Sequence, residues 1–187
     1  MTNTKHRSRS GFTLAETLVA MLLMSFVGLI VTGGIAMSAR VYGRIVERSN
    51  AELLLSTTLL ELRDQLDRVN EVQLSGTTLA SYRESTSNWK KLSLSQGIFV
   101  TEYKGYSVTG ASSKSFSPQP LVTDEAAGKS LYATYTSITY ENGNFVITGL
   151  KVCKKDTTTA LAWLDRNKPE NSATYIIRPL EDIRQYS

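Results

Sequence analysis

The stretch that decides the fold runs from Thr17 to Ala39 and reads TLVAMLLMSFVGLIVTGGIAMSA. It contains no charged residue, and it is long enough for an α-helix to cross the roughly 30 Å of hydrocarbon in a bilayer. We therefore predict a membrane-spanning helix over residues 12–39.

A short basic leader precedes this apolar run and carries Lys5, Arg7 and Arg9. The chain has 187 residues, with 21 Lys and Arg against 17 Asp and Glu, and a formal charge of +4. Removing the three leader cations from the 21 leaves 18 basic residues against 17 acidic ones, so the positive balance belongs mostly to the leader. Such a leader is typical of an N-terminus held on the cytoplasmic side of a membrane. Three arginines after the run partly offset this orientation signal: Arg40, Arg44 and Arg48.

The helical pattern continues beyond Ala39 in amphipathic form. Five apolar residues spaced four, three, four and three apart fall on one helix face: Leu55, Leu59, Leu62, Leu66 and Val69. No proline interrupts residues 12–76, and Gly76 stands where a helix C-cap glycine is expected. We predict one helix from Phe12 to about Leu74, with residues 40–76 as its amphipathic continuation.

Residues 77–187 lose the helical period and predict an extracytoplasmic β-rich domain. The clearest hairpin joins Tyr132–Tyr140 to Phe145–Leu150 through Asn142-Gly143, since Asn-Gly favours the positive φ of tight turns. Further strands are predicted at Leu92–Leu94, Ile98–Tyr103 and Tyr175–Ile177, and an exposed loop at Ser107–Lys129. An amphipathic helix needs a partner for its apolar face. The predicted fold is therefore α+β, with the second half of a long N-terminal helix packed on an antiparallel β-sheet.

The junction between leader and apolar run reads Ser10-Gly11-Phe12-Thr13-Leu14-Ala15-Glu16. It resembles the cleavage and methylation site of type IV prepilins, pseudopilins and competence pseudopilins, in which a basic leader ends in Gly, Phe follows and Glu is the fifth mature residue. The resemblance covers residues 5 to about 39, and the rest of the chain only in architecture. It implies that prepilin peptidase removes residues 1–11 by cutting between Gly11 and Phe12, and that it N-methylates Phe12.

Glu16 has two interpretations. With Thr13 it matches a capping box, which satisfies free N–H groups at a helix start. However, an ionisable group at the edge of a membrane span is costly and usually marks function. Cleavage would leave a Phe12 amine with a pKa of about 8, which is cationic at neutral pH. We therefore expect Glu16 of one subunit to pair with the Phe12 amine of another and set the assembly register, the alternative being a pair within one chain.

Glycines interrupt the apolar helix at Gly28, Gly33 and Gly34. Glycine is common in membrane helices, so simple tolerance is one interpretation. The other is close helix packing, because Gly28 with Thr32 and Gly34 with Ser38 form small-xxx-small pairs.

Catalytic patterns are missing from the sequence. Cys153 is the single cysteine, so no intramolecular disulfide is possible, and loss of His6 with the leader would leave no histidine for a triad or metal site. Gly128-Lys129-Ser130 lacks the earlier glycine of a phosphate-binding loop, since Thr123 stands there. The carboxylates form no recognisable constellation. We therefore expect no enzyme activity, no metal and no cofactor.

The resemblance implies a structural filament subunit in the cytoplasmic membrane, with its N-terminus cytoplasmic and its β-rich domain outside. Its implied partners are prepilin peptidase, other pilin or pseudopilin subunits, an inner-membrane assembly platform and, before assembly, membrane lipid. Because many major pilins of Gram-negative bacteria close a loop with two cysteines, the single Cys153 favours a minor pilin or pseudopilin. This N-terminus is shared by pili, type II secretion and DNA-uptake machines, so it does not identify the machine.

Other interpretations stay open. The chain could be a binding or enzymatic domain on a single-pass membrane anchor. It could also be a secreted protein with a signal peptide cut near Ala36-Met37-Ser38, although the apolar run is long for that role. A small basic cluster could contact DNA, but a solvated strand end is the more ordinary explanation for Lys151, Lys154 and Lys155.

Overall fold

The computed structural model describes residues 13–85, 87–104, 114–123 and 130–186. A single helix, α1 (Leu14–Asp67), opens the described chain. The chain divides into two compact units, one ending at Ile45 and the other beginning at Val46, so α1 contributes to both. The first unit is helical from Leu14 onwards, and the second unit combines residues 46–67 of α1 with all the described strands.

The strands of the second unit are short, as the sequence predicts. Their bounds are β1 (Glu71–Ser75), β2 (Thr78–Arg83), β3 (Trp89–Leu94), β4 (Ile98–Lys104), β5 (Lys114–Ser115), β6 (Gln119–Pro120), β7 (Leu131–Thr134), β8 (Ser137–Glu141), β9 (Asn144–Thr148), β10 (Lys151–Lys154), β11 (Ala160–Trp163), β12 (Thr174–Ile177) and β13 (Arg184–Tyr186). The predicted strands at Leu92–Leu94, Ile98–Tyr103 and Tyr175–Ile177 are confirmed as parts of β3, β4 and β12.

The strands form two sheets. The larger has the order β12-β9-β8-β2-β3-β4-β5, with β1 between β2 and β13, and with β6 beside β4; the smaller has the order β11-β10-β7. Within the described part of the chain, β1 and β13 make the one parallel pair, with Val72 opposite Gln185, and the other pairs are antiparallel. The predicted α+β fold, a long helix packed on an antiparallel sheet, is confirmed.

The second half of α1 packs one face against the sheets. Its buried residues are Ala51, Leu54, Thr58, Leu62 and Leu66. They share a core with large side chains from the strands, among them Tyr82, Phe145, Ile147 and Val152. This core fixes residues 46–67 of the helix on the β-rich part of the chain.

The buried face differs from the predicted one in its first turns. Leu62, Leu66 and Val69 are fully buried, but Leu55 and Leu59 lie half-buried at its edge. Leu54 and Thr58 occupy the centre instead. Thr58 is tolerated there because its hydroxyl donates to the Leu54 carbonyl at 2.7 Å, which removes the cost of burying an unpaired donor.

The helix ends at Asp67, seven residues before the predicted Leu74, so that prediction is wrong. Residues 71–75 form β1 because tertiary pairing overrides the uninterrupted helical pattern. Asn70 marks the change: its N–H donates to the Arg83 carbonyl at 3.1 Å, and its carbonyl accepts the Arg184 N–H at 2.8 Å. Its backbone is therefore bonded to the sheet.

Gly76 is not the predicted helix C-cap. It has a φ of 66° and lies in the turn between β1 and β2. The left-handed conformation that favours glycine at a helix end is used here by a hairpin turn.

The Asn142-Gly143 hairpin is confirmed. β8 and β9 pair with Glu141 opposite Asn144, and Asn142 and Gly143 have φ values of 51° and 77°, as a two-residue turn requires. The strand predicted from Tyr132 to Tyr140 is broken, because β7 joins the smaller sheet and β8 the larger one. The break follows β7, where the Thr136 N–H donates to the Thr148 carbonyl at 2.9 Å.

The predicted loop Ser107–Lys129 is wrong at two short strands, whereas residues 116–118 and 121–123 belong to no strand or helix. Lys114–Ser115 and Gln119–Pro120 both pair with β4. Each pairing is two residues long and lies at the side of a sheet, where proline is tolerated because its missing N–H is not needed. Residues 107–113 and 124–129, which include Gly128-Lys129, lie outside the described residues.

Candidate processing and assembly site

Thr13 and Glu16 build the N-terminal end of α1. The Glu16 N–H donates to the Thr13 Oγ1 at 3.4 Å, and the Thr13 N–H donates to the Glu16 Oε2 at 3.3 Å. The Thr13 hydroxyl donates to the same Oε2 at 3.4 Å. These reciprocal contacts are those of a capping box, so the capping interpretation of Glu16 holds within one chain.

The predicted cleavage and methylation positions, Gly11 and Phe12, lie outside the described residues. Glu16 lies in the first turn of the helix, where free N–H groups favour a carboxylate, and its side chain is exposed. An exposed carboxylate at this place is free to meet a group from another molecule while it caps its own helix.

The apolar surface of residues 14–45 is uncovered. Leu14 is 79 % exposed and Ile30 is 74 % exposed, and none of the most apolar window of α1 is buried. By its length and composition, α1 is able to cross a membrane. Because exposing so much contiguous apolar surface to water is unfavourable, this segment requires lipid or other helices around it.

Hydroxyl side chains in this segment are satisfied by the helix itself. Thr17 donates to the Leu14 carbonyl at 2.9 Å, Ser25 to the Met21 carbonyl at 2.9 Å and Thr32 to the Gly28 carbonyl at 2.7 Å. Sequence reasoning missed this function of Thr17 and Ser25, although the three- and four-residue spacing to a helical carbonyl could have revealed it. The apolar segment can therefore be enclosed by hydrocarbon without leaving these donors unpaired.

The three glycines have no packing partner inside the chain. A Cβ atom placed on Gly28, Gly33 or Gly34 would meet no other atom within 4 Å, apart from the neighbouring helix backbone. Nothing within the chain thus requires glycine at these positions. Two explanations of these glycines remain: a membrane helix simply tolerates glycine, or the glycines let a helix from another molecule approach closely.

Comparison with known families agrees with this geometry. The prokaryotic N-terminal methylation motif matches residues 6–32, a range that contains Gly11, Phe12, Glu16 and Gly28. This motif supports a type IV pilin-like protein. No curated protein and no solved structure matches the chain. The likeness therefore lies in the N-terminal segment, and the long apolar helix that follows fits membrane anchoring of a pilin-like protein.

The basic cluster of the β-rich unit, at Lys151 and Lys154, is largely neutralised. Lys151 Nζ lies 2.8 Å from Glu170 Oε1 and 2.9 Å from Asn171 Oδ1, while Lys154 Nζ lies 2.6 Å from Glu47 Oε1. The bond to Glu47 raises the pKa of Lys154. Ammonium groups already paired with carboxylates offer little charge to DNA phosphates.

Cys153 is buried on β10, beneath the surface of the β-rich unit. Burial raises the pKa of its thiol, which keeps it protonated at neutral pH. Because the thiolate is the reactive form, this cysteine is suited to packing and not to chemistry.

The β-rich unit contains a polar groove of about 650 Å³. It lies between the Asn142-Gly143 turn and residues 178–183. No group of three or more His, Cys, Asp or Glu side chains that could hold a metal occurs within the part of the chain that the structure describes. The features that point to a function thus concentrate at the N-terminal end of α1.

Proposed function

We propose that this protein is a structural subunit, a minor pilin or pseudopilin, of a filament belonging to a type IV pilus, a type II secretion system or a competence system. One observation carries the proposal: the methylation motif opens directly onto a helix whose apolar surface the chain leaves uncovered. A subunit that first lies in lipid and then packs among other helices needs such a surface. A catalytic centre is not required for this role.

Processing is the first step of the proposed function. Prepilin peptidase cuts between Gly11 and Phe12 in the membrane, residues 1–11 leave, and the new Phe12 amine is methylated. The unmodified amine has a pKa of about 8 and is cationic at neutral pH. Cleavage therefore places a positive charge at the very start of the helix, one residue before the capping residue Thr13.

Assembly then uses Glu16. In an ideal α-helix, two residues four positions apart, as residues 12 and 16 are, would lie about 6 Å apart along the axis. In a bundle with little water, an ion without a partner is strongly unfavourable. Glu16 of one subunit and the Phe12 amine of its neighbour satisfy each other, and this pairing fixes the axial register of the two helices.

The partners follow from this sequence of events. Membrane lipid surrounds residues 14–39 before assembly, with the N-terminus cytoplasmic and the β-rich unit outside. An inner-membrane assembly platform and other pilin or pseudopilin subunits receive the protein afterwards. Gly28, Gly33 and Gly34 allow neighbouring helices to approach closely.

Intact-mass analysis and N-terminal sequencing of the protein from native-host membranes test the proposal. We expect a chain that begins at Phe12 with one added methyl group, and an unprocessed chain in cells without prepilin peptidase. Gly11→Val should stay unprocessed, whereas the matched control Ser10→Ala should be cut normally. A chain that begins at Met1, or one that begins near Arg40, would overturn the proposal.

The capping box formed within one chain favours a second candidate, a surface binding domain on a single-pass anchor. In that case Glu16 only starts the helix. The two functions differ in whether the protein enters sheared filaments, and in how filament recovery responds to substitution of Glu16.

A further inference from the structure

Two arginines stand immediately beyond the uncharged run of α1. Arg40 and Arg44 are four residues apart, so they share one helix face, and both side chains are exposed. Within the part of the chain that the structure describes, neither guanidinium forms a hydrogen bond or an ion pair. Two uncompensated cations therefore point outward from the same side of the helix.

Nearby carboxylates of the described chain do not neutralise this pair. The sequence has no acidic residue from position 17 to position 46. Glu47 comes next, three residues after Arg44, but its Oε1 atom lies 2.6 Å from Lys154 Nζ. The charges of the two guanidinium groups therefore stay available to an anion from outside the chain.

The position of these arginines along α1 matches the headgroup layer of a bilayer. As a helix, the run from Thr17 to Ala39 is about 34 Å long, and the hydrocarbon of a bilayer is roughly 30 Å thick. Arg40 follows directly, and Arg44 lies about 6 Å further along the axis. The headgroup region adds about 5 to 8 Å on each side of the hydrocarbon. With the uncharged run in hydrocarbon, both arginines lie at the level of the lipid phosphates.

Tyr42 lies between the two arginines and supports the same depth. Its side chain is 71 % exposed, and the nearby Val41 and Ile45 are 46 % and 60 % exposed. Tyrosine is enriched where hydrocarbon meets headgroups, because its ring is apolar and its hydroxyl is polar. Residues 40–45 therefore mix apolar, aromatic and cationic side chains, as is usual at a membrane surface.

We propose that Arg40 and Arg44 bind the phosphate groups of anionic phospholipids in the outer leaflet of the membrane, and so hold the end of the membrane-spanning segment at a fixed depth. A guanidinium is planar and donates two parallel N–H bonds to a phosphate. Its apolar stem lies along hydrocarbon while its charged head reaches the headgroups. The orientation signal favours cations on the cytoplasmic side, so it does not account for arginines at the opposite end of the span. Phosphate binding does account for them.

Lipid-selective fluorescence quenching of the full-length protein tests this inference, which rests on the membrane anchoring contained in the proposed function. Tyr42→Trp places an indole between the two arginines. The protein that keeps Tyr42 gives the background of the two native tryptophans, Trp89 and Trp163. Each protein is reconstituted into vesicles of equal parts phosphatidylglycerol and phosphatidylcholine. In one set the first lipid carries bromine, a quencher of tryptophan fluorescence, and in the other set the second lipid carries it.

We expect phosphatidylglycerol to associate with the indole at position 42 about 25-fold more strongly than phosphatidylcholine does. Each arginine contributes about fivefold to this preference, equivalent to about 1 kcal/mol at an anionic surface. Arg40→Gln and Arg44→Gln should each lower the preference about fivefold, and the two together should abolish it. Arg48→Gln is the matched control, because Arg48 Nε lies 3.6 Å from Glu52 Oε1 and its charge is already paired. It should leave the preference unchanged.

Equal quenching by the two brominated lipids would leave another protein subunit as the partner of the arginines, and it would overturn the inference. An equal loss of preference with Arg48→Gln would show diffuse charge attraction and also overturn it. A preference abolished by inorganic phosphate, but not by sodium chloride of equal ionic strength, would make free phosphate the ligand in place of lipid. If neither lipid quenches the indole, the membrane anchoring itself fails, so failure of the proposed function is distinguishable.

Discussion

The two halves of α1 differ in what covers their apolar surface. Residues 46–67 bury one face against the strands of their own chain, with Leu62 and Leu66 fully buried. Residues 14–45 bury nothing against their own chain in their most apolar window. Within the first half, the run from Thr17 to Ala39 has no charged residue and is apolar on all sides, whereas residues 46–67 carry apolar and charged residues on different faces. The difference teaches that one uninterrupted helix can carry a self-sufficient half and a half that is completed only by other molecules.

The largest expected effect concerns Glu16, in the half that depends on other molecules. Glu16→Gln preserves an acceptor for the Thr13 N–H, so insertion and cleavage after Gly11 should stay normal. In the filament it would leave the neighbouring Phe12 amine without its partner, at a cost on the order of 3 to 5 kcal/mol per contact. We expect this variant to be nearly absent from sheared filaments, as measured against its membrane level in the native host.

Glu61→Gln is the matched control for this substitution. Glu61 is an exposed carboxylate on the half of α1 that packs on the sheet. Its replacement should leave filament recovery at the wild-type level. Normal recovery with Glu16→Gln would remove the register role and favour a membrane-anchored binding domain.

The next effect tests the half that packs on its own sheet. Leu62→Ala should lower the free energy of unfolding by about 2 to 5 kcal/mol, since the side chain is fully buried. Leu59→Ala should cost less, about 1 to 2 kcal/mol, because Leu59 lies half-buried at the edge of the core. Leu60→Ala, on the exposed face, should change it by less than about 0.5 kcal/mol. Urea unfolding of the full chain in detergent, followed by tryptophan fluorescence, measures all three.

The order of these three losses in unfolding free energy distinguishes the buried helix face that is observed from the one that residue spacing predicts. If Leu59→Ala and Leu62→Ala were equally destabilising, the helix would present the predicted face. If all three substitutions were neutral, the packing of α1 on the sheets would be wrong.

Alkaline pH should weaken the β-rich unit and spare the apolar half. Burial raises the pKa of Tyr82, and it raises the pKa of Tyr135 from 10.0 to about 12. The unfolded chain therefore loses these protons first, near pH 10, so stability is full below that pH and falls as the pH rises above it. Denaturant unfolding between pH 8 and 12 measures how steeply the free energy of unfolding falls with pH. Tyr82→Phe should make this fall shallower, whereas Tyr42→Phe, on the exposed part of α1, should not change it.

The smallest effect is expected for Gly33→Ala. Because no atom lies near an added Cβ, membrane insertion and the fold of the single chain should be unchanged. Filament recovery should fall modestly, by about 1 kcal/mol per helix contact, if small residues let helices approach. If the Gly33→Ala variant enters filaments as well as the wild type does, the explanation is that the membrane helix simply tolerates glycine at this position.

Local patterns were sufficient to predict the elements that depend on few residues. The uncharged run after Glu16 indicates a membrane-capable helix, and Asn142-Gly143 indicates the hairpin between β8 and β9, because both signals are contained in neighbouring residues. The Thr13-Glu16 capping box follows from a spacing of three. Leu62 and Leu66 on the buried helix face were also predictable from their period.

The end of α1 and the position of its buried face could not be predicted from the spacing of apolar residues. The end of α1 at Asp67 depends on Asn70 bonding to Arg83 and Arg184, which are far away in sequence. The shift of the buried face to Thr58 depends on a hydroxyl bond to its own helix, which makes a polar residue acceptable in the core. Processing at Gly11 and Phe12 and assembly through Glu16 stay predictions.

The parallel pairing of β13 with β1 carries a consequence for the timing of folding. Glu71 lies opposite Arg184, and Gln73 lies opposite Tyr186, so this part of the sheet joins segments more than a hundred residues apart. Contacts of such separation form slowly, since a long stretch of chain must be ordered before they contribute. While the chain is being synthesised, one edge of β1 stays open until Tyr186 has emerged. During that interval the nascent domain is most exposed to mispairing and to proteases.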